Sequence, residues 1–418
     1  MKKLFSIVAL FATLAAFAVD PAVSNVKLSF NEKNRLVCVD YDLNMPAIVT
    51  VRFYNGIQAI DKAVAKSLVG DVNRMIDRTT GCRLYWNVGA DLPDSAFDAN
   101  ALKVEFKLYT LQSSPKFMVI DLRAHNTVRY YDSLEEVPGG IGPGSSDLNR
   151  TECIVLRKIP AKGVQFAMGS PSDEAGRDAA SENRVLVTIP YDYYFSVYTL
   201  TQAQHKMFNP TGFQGGFTDK PDSPLKPLTS VTYNYARGST DDGIDWPTTG
   251  YAVSADSILG RLRAYSGVDV DIPTEAEWEF AARGGYGTAL PDGKNMSGPY
   301  NTGGANECRL GWFKTNVQAT YGSVLQPGPV GYYPANRFDI HDVCGNPYEL
   351  ARDWYVADRA TLSGVVLHQG PTSGTTRSFR AGTYSYNAQH GRLAKRGGLP
   401  PNSGDNFAVR LVVPCEAE

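Results

Sequence analysis

The sequence predicts an α+β protein in two parts: a small all-β sandwich, then a larger mixed domain with much irregular structure. Three observations lead there. Between about Pro21 and Leu122 apolar and polar residues alternate with period two. From Glu135 to Asn149 the chain turns rich in Gly, Pro and Ser. Beyond that, helix signals stand among long loops, in a chain with 39 Gly, 25 Pro and 11% aromatics. With 418 residues, two or three domains fit. The expected boundaries are 1–18 for a signal peptide, 19–134 for the sandwich, 135–149 for a linker and 150–418 for the second domain.

The N-terminus has the pattern of a secretory signal. Lys2-Lys3 precede an apolar stretch from Leu4 to about Leu14, and Ala16-Phe17-Ala18 supplies small residues for cleavage after Ala18. The stretch is short for a bilayer span, no cysteine follows the cleavage site, and no later segment is long and apolar. A secreted or periplasmic protein with no integral membrane segment is expected. Its six cysteines then point to disulfides, with fifteen connectivities open.

In the sandwich, Leu102, Val104, Phe106 and Leu108 alternate with Lys103, Glu105 and Lys107. Val49, Val51 and Phe53 alternate with Thr50 and Arg52. Several such runs between turn residues suggest two packed sheets, similar to a fibronectin type III-like module. No chemical motif lies there, so a spacer or docking role is expected. The Pro138–Ser146 run marks the linker.

The second domain carries its clearest element at Asp271–Gly285. Thr274 caps a helix, and Glu277 stands three residues on, the spacing of a capping box. Glu275 and Glu277 favour the positive end of the helix dipole, and Gly284 stops the helix after Arg283. Trp278, Ala281 and Ala282 share a face that would pack inward. A formal net charge of -2 gives no case for nucleic acid. Neither a glycine-rich phosphate loop nor a GxSxG elbow occurs.

That helix belongs to a series of blocks: Phe166–Pro171, Tyr198–Gln204, Asp271–Gly285, Asp342–Leu350, Arg380–Tyr384 and Phe407–Arg410. In this order, over some 260 residues, they resemble the formylglycine-generating enzyme (sulfatase-modifying factor) family. The resemblance implies a C-type-lectin-like fold. It also implies a calcium site in which Asp342 and Glu349 ligate by side chain, and Gly345 and Pro347 by carbonyl. Oxygen ligands of this kind suit Ca²⁺. The family's second calcium loop reaches the place of Asn306, but Cys308–Pro327 departs from its pattern. Cys38 and Cys82 share the N-terminal region, the implied fold brings first and last strands together at Cys153 and Cys415, and Cys308 and Cys344 remain, so three bridges paired in that way are expected.

The family's enzymes oxidise a substrate cysteine with O₂ and copper held by two thiolates, soft ligands that select Cu(I). Here the corresponding stretch, Tyr384–Arg392, has no cysteine, and no sulfur occurs between Arg377 and Pro414. Copper is not expected. The histidines lack HxxxH-type spacing, which argues against the related iron-dependent sulfur-transfer enzymes. What the segment offers is a recognition surface. Trp354, Tyr384, Tyr386, Asn387, His390, Arg392 and Arg396 are the candidate groove residues, with Gln389 and Lys395 beside them. Tyr, Asn and Arg combine contact area with adaptable hydrogen bonds, although Arg392 and Arg396 equally suit framework ion pairs. The expected function is non-catalytic binding of a protein, small molecule or glycan. The alternatives are a formylglycine-generating oxidoreductase with an unrecognised site and a structural component of the cell envelope.

Overall fold

The computed structural model describes residues 20–61, 64–93, 98–110, 113–212, 223–297, 307–361 and 368–415. The expected signal peptide and Asn306 lie outside these residues. No helix among them is long and apolar enough to cross a membrane.

The first part is built from two sheets. Val23–Asn31, Leu36–Leu43, Cys82–Asn87 and Leu68–Gly70 form one, in that order. Ala47–Asn55 centres the other, paired from Ile48 to Asn55 with Leu102–Tyr109. Inward residues of both sheets share one core, where Phe53 stacks on Trp86 with centroids 4.7 Å apart. The alternation at Leu102–Tyr109 is as expected. Ala47–Asn55 departs from it, because its second face is covered too. Thr50 bonds Asp132, and Ile48 joins the core of the following domain.

That following domain begins earlier than the sequence suggested. Phe117–Asp121, inside the alternating region, and Val128–Tyr131, inside the expected 19–134 boundary, are instead strands of a five-stranded sheet. Phe117–Asp121 pairs with Cys153–Ile159, which pairs with Tyr193–Ser196, which pairs with Val412–Pro414. Alternation marks a strand but not its partner, so the boundary was invisible locally. The Gly/Pro run that read as a linker is an ordered turn inside this domain. The amide of Asn149 donates to the carbonyls of Pro138 and Gly140, each at 2.7 Å.

A second sheet holds Gly397–Leu399, Arg377–Arg380, Tyr348–Trp354 and Phe407–Ala408, with the last pair parallel. The helix Glu275–Arg283 lies against it. Thr274 and Glu277 form the expected capping box, and Gly284 ends the helix in a left-handed conformation. The expected single buried face is corrected: all nine helical residues are buried, Glu275, Glu277 and Glu279 included.

The six cysteines are thiols, and the strand register explains why the expected bridges do not form. Cys38 pairs with Tyr85 and Cys82 with Tyr41, so the two sulfurs lie on opposite faces of one sheet. Cys153 begins its strand, whereas Cys415 lies beyond Pro414, level with the strand's other end. About six residues separate them, roughly 20 Å, against the ~7 Å Cα limit of a disulfide. The Cys344 thiol donates to the Gly391 carbonyl rather than meeting Cys308. Non-reducing peptide mapping is therefore expected to recover none of the three cross-linked pairs.

Candidate functional site

Arginines from distant strands neutralise the buried acids, and this network fixes the walls of the site. Glu275 receives Arg396 at 2.9 and 2.6 Å, Arg359 at 2.9 Å and Arg380 at 3.4 Å. The surrounding guanidiniums, Arg396 foremost, hold its carboxyl well below the usual range despite complete burial. Glu277 pairs with Arg352, and Glu279 with Arg283 and Arg380. Arg392 grips Glu182 with both terminal nitrogens, at 2.7 and 2.9 Å, and reaches Glu174 at 2.7 Å.

Several candidate groove residues are consequently framework. Arg392 and Arg396 are buried in these pairs. Tyr384 is buried too, donating its hydroxyl to Asn406 at 2.6 Å. Trp354 stacks on Arg377, 3.3 Å from ring centroid to guanidinium carbon, and donates to Asp245. Tyr386 is different, being half exposed while its ring rests on His390 at 4.9 Å. Asn387 and His390 are partly exposed beside it. Burial, with Lys395 and Arg392 nearby, lowers the His390 imidazole below its ordinary value and favours the neutral ring.

Tyr386 opens onto a cleft of about 630 Å³ that the motif comparison missed. Its apolar lining is aromatic: Tyr348, Phe379 and Phe407 lie within 5.3 Å of one another, and Tyr386 stands 6.5 Å from Tyr348. Asn402, Ser403 and Asp405 supply polar groups to the lining. A smaller cleft of about 240 Å³ shares Asn402 and reaches Trp354 through Ser239, Thr240 and Asp241. Four separate chain segments meet at the larger cleft. The one local hint was the turn-rich, polar run Pro400–Asn406 directly before the Phe407 block.

Asp342, Gly345 and Pro347 lie in the turn before the strand that carries Glu349, and the two carboxylates do not offer a free donor set. Both Glu349 oxygens are occupied: Arg410 bonds one at 2.8 Å and the other at 2.7 Å, with Trp278 at 2.6 Å and Thr199 at 3.0 Å. Asp342 accepts from the Gly331 amide and leaves one buried oxygen without a partner. Burial pushes its carboxyl up to about 6. Gly345 (φ +79°) is required by packing, since a Cβ would lie 2.4 Å from the Trp312 carbonyl. One unpartnered side-chain oxygen, even with the carbonyls of Gly345 and Pro347, is short of the six to eight oxygens that calcium takes, so these four residues do not by themselves fit the ion.

Nor is either thiol activated. Cys344 is buried beneath Gly391, and burial raises its pKa well above the ordinary thiol value. Cys308, in the short turn Glu307–Arg309, is raised as well, by burial and then by Glu307. Neither has the exposed, electropositive setting that favours thiolate.

The family profile described as "Sulfatase-modifying factor enzyme 1-like domain" matches residues 156–414. The chain belongs to that family. The formylglycine-generating enzyme of Bos taurus is 24% identical over 309 residues, covering 67% of this chain and 79% of that protein. The formylglycine-generating enzyme of Streptomyces coelicolor is 32% identical over 146 residues, 33% of this chain. That match spans 45% of the Streptomyces protein, less than half its length. Among solved structures, PvdO from Pseudomonas aeruginosa is similar at 20% identity and a TM-score of 0.48, covering 63% of this chain and 95% of PvdO. The sulfatase-modifying factor match thus covers most of the second domain and leaves the sandwich, with the strands Phe117–Asp121 and Val128–Tyr131, outside it.

Proposed function

We propose that this chain is an exported, non-catalytic binding module of the sulfatase-modifying factor family. It takes its ligand in the aromatic cleft beside Tyr386. The observation that supports this most is the cleft's composition. Four rings and short polar side chains line it, with no thiol and no imidazole. Wide, mostly preformed clefts with aromatic surface and a few polar groups are the usual form of ligand sites. The arginines nearby are held in framework pairs with acids and are not available to a substrate.

Two measurements test this. Copper-loaded protein incubated with a Cys-x-Pro-x-Arg peptide is expected to leave the cysteine unmodified by mass spectrometry. Formation of formylglycine would restore the enzymatic reading. Tyr386→Ala at its half-exposed position, and His390→Ala at the partly exposed ring beneath it, are each expected to change stability by less than about 1 kcal/mol. The first is expected to remove binding on a peptide or glycan array, and the second, outside the cleft lining, to weaken it by freeing the Tyr386 ring. If either variant instead collapses on thermal denaturation, the pair belongs to the framework and the cleft is not the site.

A further inference from the structure

The two clefts abut at Asn402, and together they outline a groove longer than a single small ligand needs. We infer that this groove receives a neutral oligosaccharide, with Tyr386 as its stacking platform and Asn402 at the junction of two subsites. This rests on the binding reading above and names its ligand class.

The chemistry follows from the lining. A pyranose has an apolar face of C–H groups and a rim of hydroxyls that both donate and accept. The face needs an exposed ring, and Tyr386 supplies one with half its surface open. The rim needs short side chains with unused hydrogen-bonding capacity. Asn402, Ser403 and Asp405 are exposed, and among the described residues their side chains bond nothing.

Their backbone, in contrast, is held firmly. Ser403 donates to Pro400 at 2.9 Å, Phe407 to Gly404 at 3.2 Å, and the Ser230 hydroxyl to Asp405 at 3.2 Å. Gly404 passes so close to Val231 that a Cβ would lie 2.5 Å from its carbonyl oxygen. The rim is thus preorganised, which lowers the entropy lost on binding.

Charge narrows the class further. No lysine or arginine lines the larger cleft, while Asp405 stands in it and Asp241 in its neighbour. The one cation in the smaller cleft, Arg377, is buried and paired with Asp245. Uronic or sulfated sugars would meet carboxylates with no compensating cation. A neutral chain meets no such repulsion.

The experiment is a printed array of neutral and acidic glycans probed with the mature full chain, followed by calorimetry on the best neutral hit. The expected result is binding confined to neutral oligosaccharides, weaker for the monosaccharide, and weakened about tenfold or more by Tyr386→Ala. Asn402→Ala, on an exposed loop, is expected to weaken the oligosaccharide but not the monosaccharide. Preference for acidic glycans, or neutral binding indifferent to both substitutions, overturns the proposal. Silence on the glycan array together with Tyr386-dependent binding on a peptide array overturns the sugar assignment and leaves the binding module standing. Silence on both arrays with turnover of the Cys-x-Pro-x-Arg peptide removes both.

Discussion

Replacing Arg410 with methionine lowers the stability of the fold by about 3–5 kcal/mol, as read from denaturant unfolding. Arg410 is fully buried and gives both Glu349 oxygens a partner. It also bonds the carbonyls of Ser196, Val197 and His341, so one side chain ties three chain segments together. Without it, Glu349 keeps only Trp278 and Thr199 and becomes an uncompensated buried charge. Adding Glu349→Gln should therefore recover part of the loss, since that partner no longer carries charge. The same pair also bears on calcium. With Arg410 as the counter-charge, EDTA is expected to leave the melting temperature unchanged. A drop on chelation, with a small effect of Arg410→Met, would mean that a cation and not the guanidinium balances Glu349.

Glu275→Gln is expected to destabilise by a similar amount, about 3–5 kcal/mol near neutral pH, because it leaves Arg359, Arg380 and Arg396 around a neutral amide. Asp353, which also contacts Arg359, and Glu279, which pairs with Arg380, remain as neighbouring acids. The pH dependence has a definite sign. The Glu275 carboxyl is held below its ordinary value in the fold, so its contribution is present above the unfolded-state pKa. It is lost as the pH falls from about 4.5 toward the depressed folded value. The wild type should therefore lose this stability on acidification and the glutamine variant should not, so their unfolding free energies converge at low pH. Parallel curves down to about pH 2 would show that Glu275 does not carry the coupling.

Much of this protein was legible because some signals are local. The capping box at Thr274 and Glu277 needs only a three-residue spacing, and it forms as expected. A second box at Thr201 and Gln204 opens the helix Gln202–Phe208 in the same way. The alternation at Leu102–Tyr109 likewise fixed which side chains face the sandwich core. Illegible features depend on partners far along the chain. Glu275 reads locally as a solvent-facing acid at a helix start, yet Arg359, Arg380 and Arg396 stand 84, 105 and 121 residues away. Phe117–Asp121 has the pattern of any strand, and only its pairing with Cys153–Ile159 puts it in the second domain.

The candidate groove divides along the same line. By itself the sequence determined the family and the absence of sulfur between Arg377 and Pro414, because motif order and residue identity need no coordinates. It could not separate Tyr386 from Arg392 and Arg396, since all lie in one segment with the side chains that recognition surfaces favour. Tertiary structure made that separation. Acids brought in from Glu182 and Glu275 draw both arginines into the interior, where an unpaired charge would be too costly to keep. Tyr386 has no such partner and stays at the rim, beside rings and amides that only the folded chain assembles.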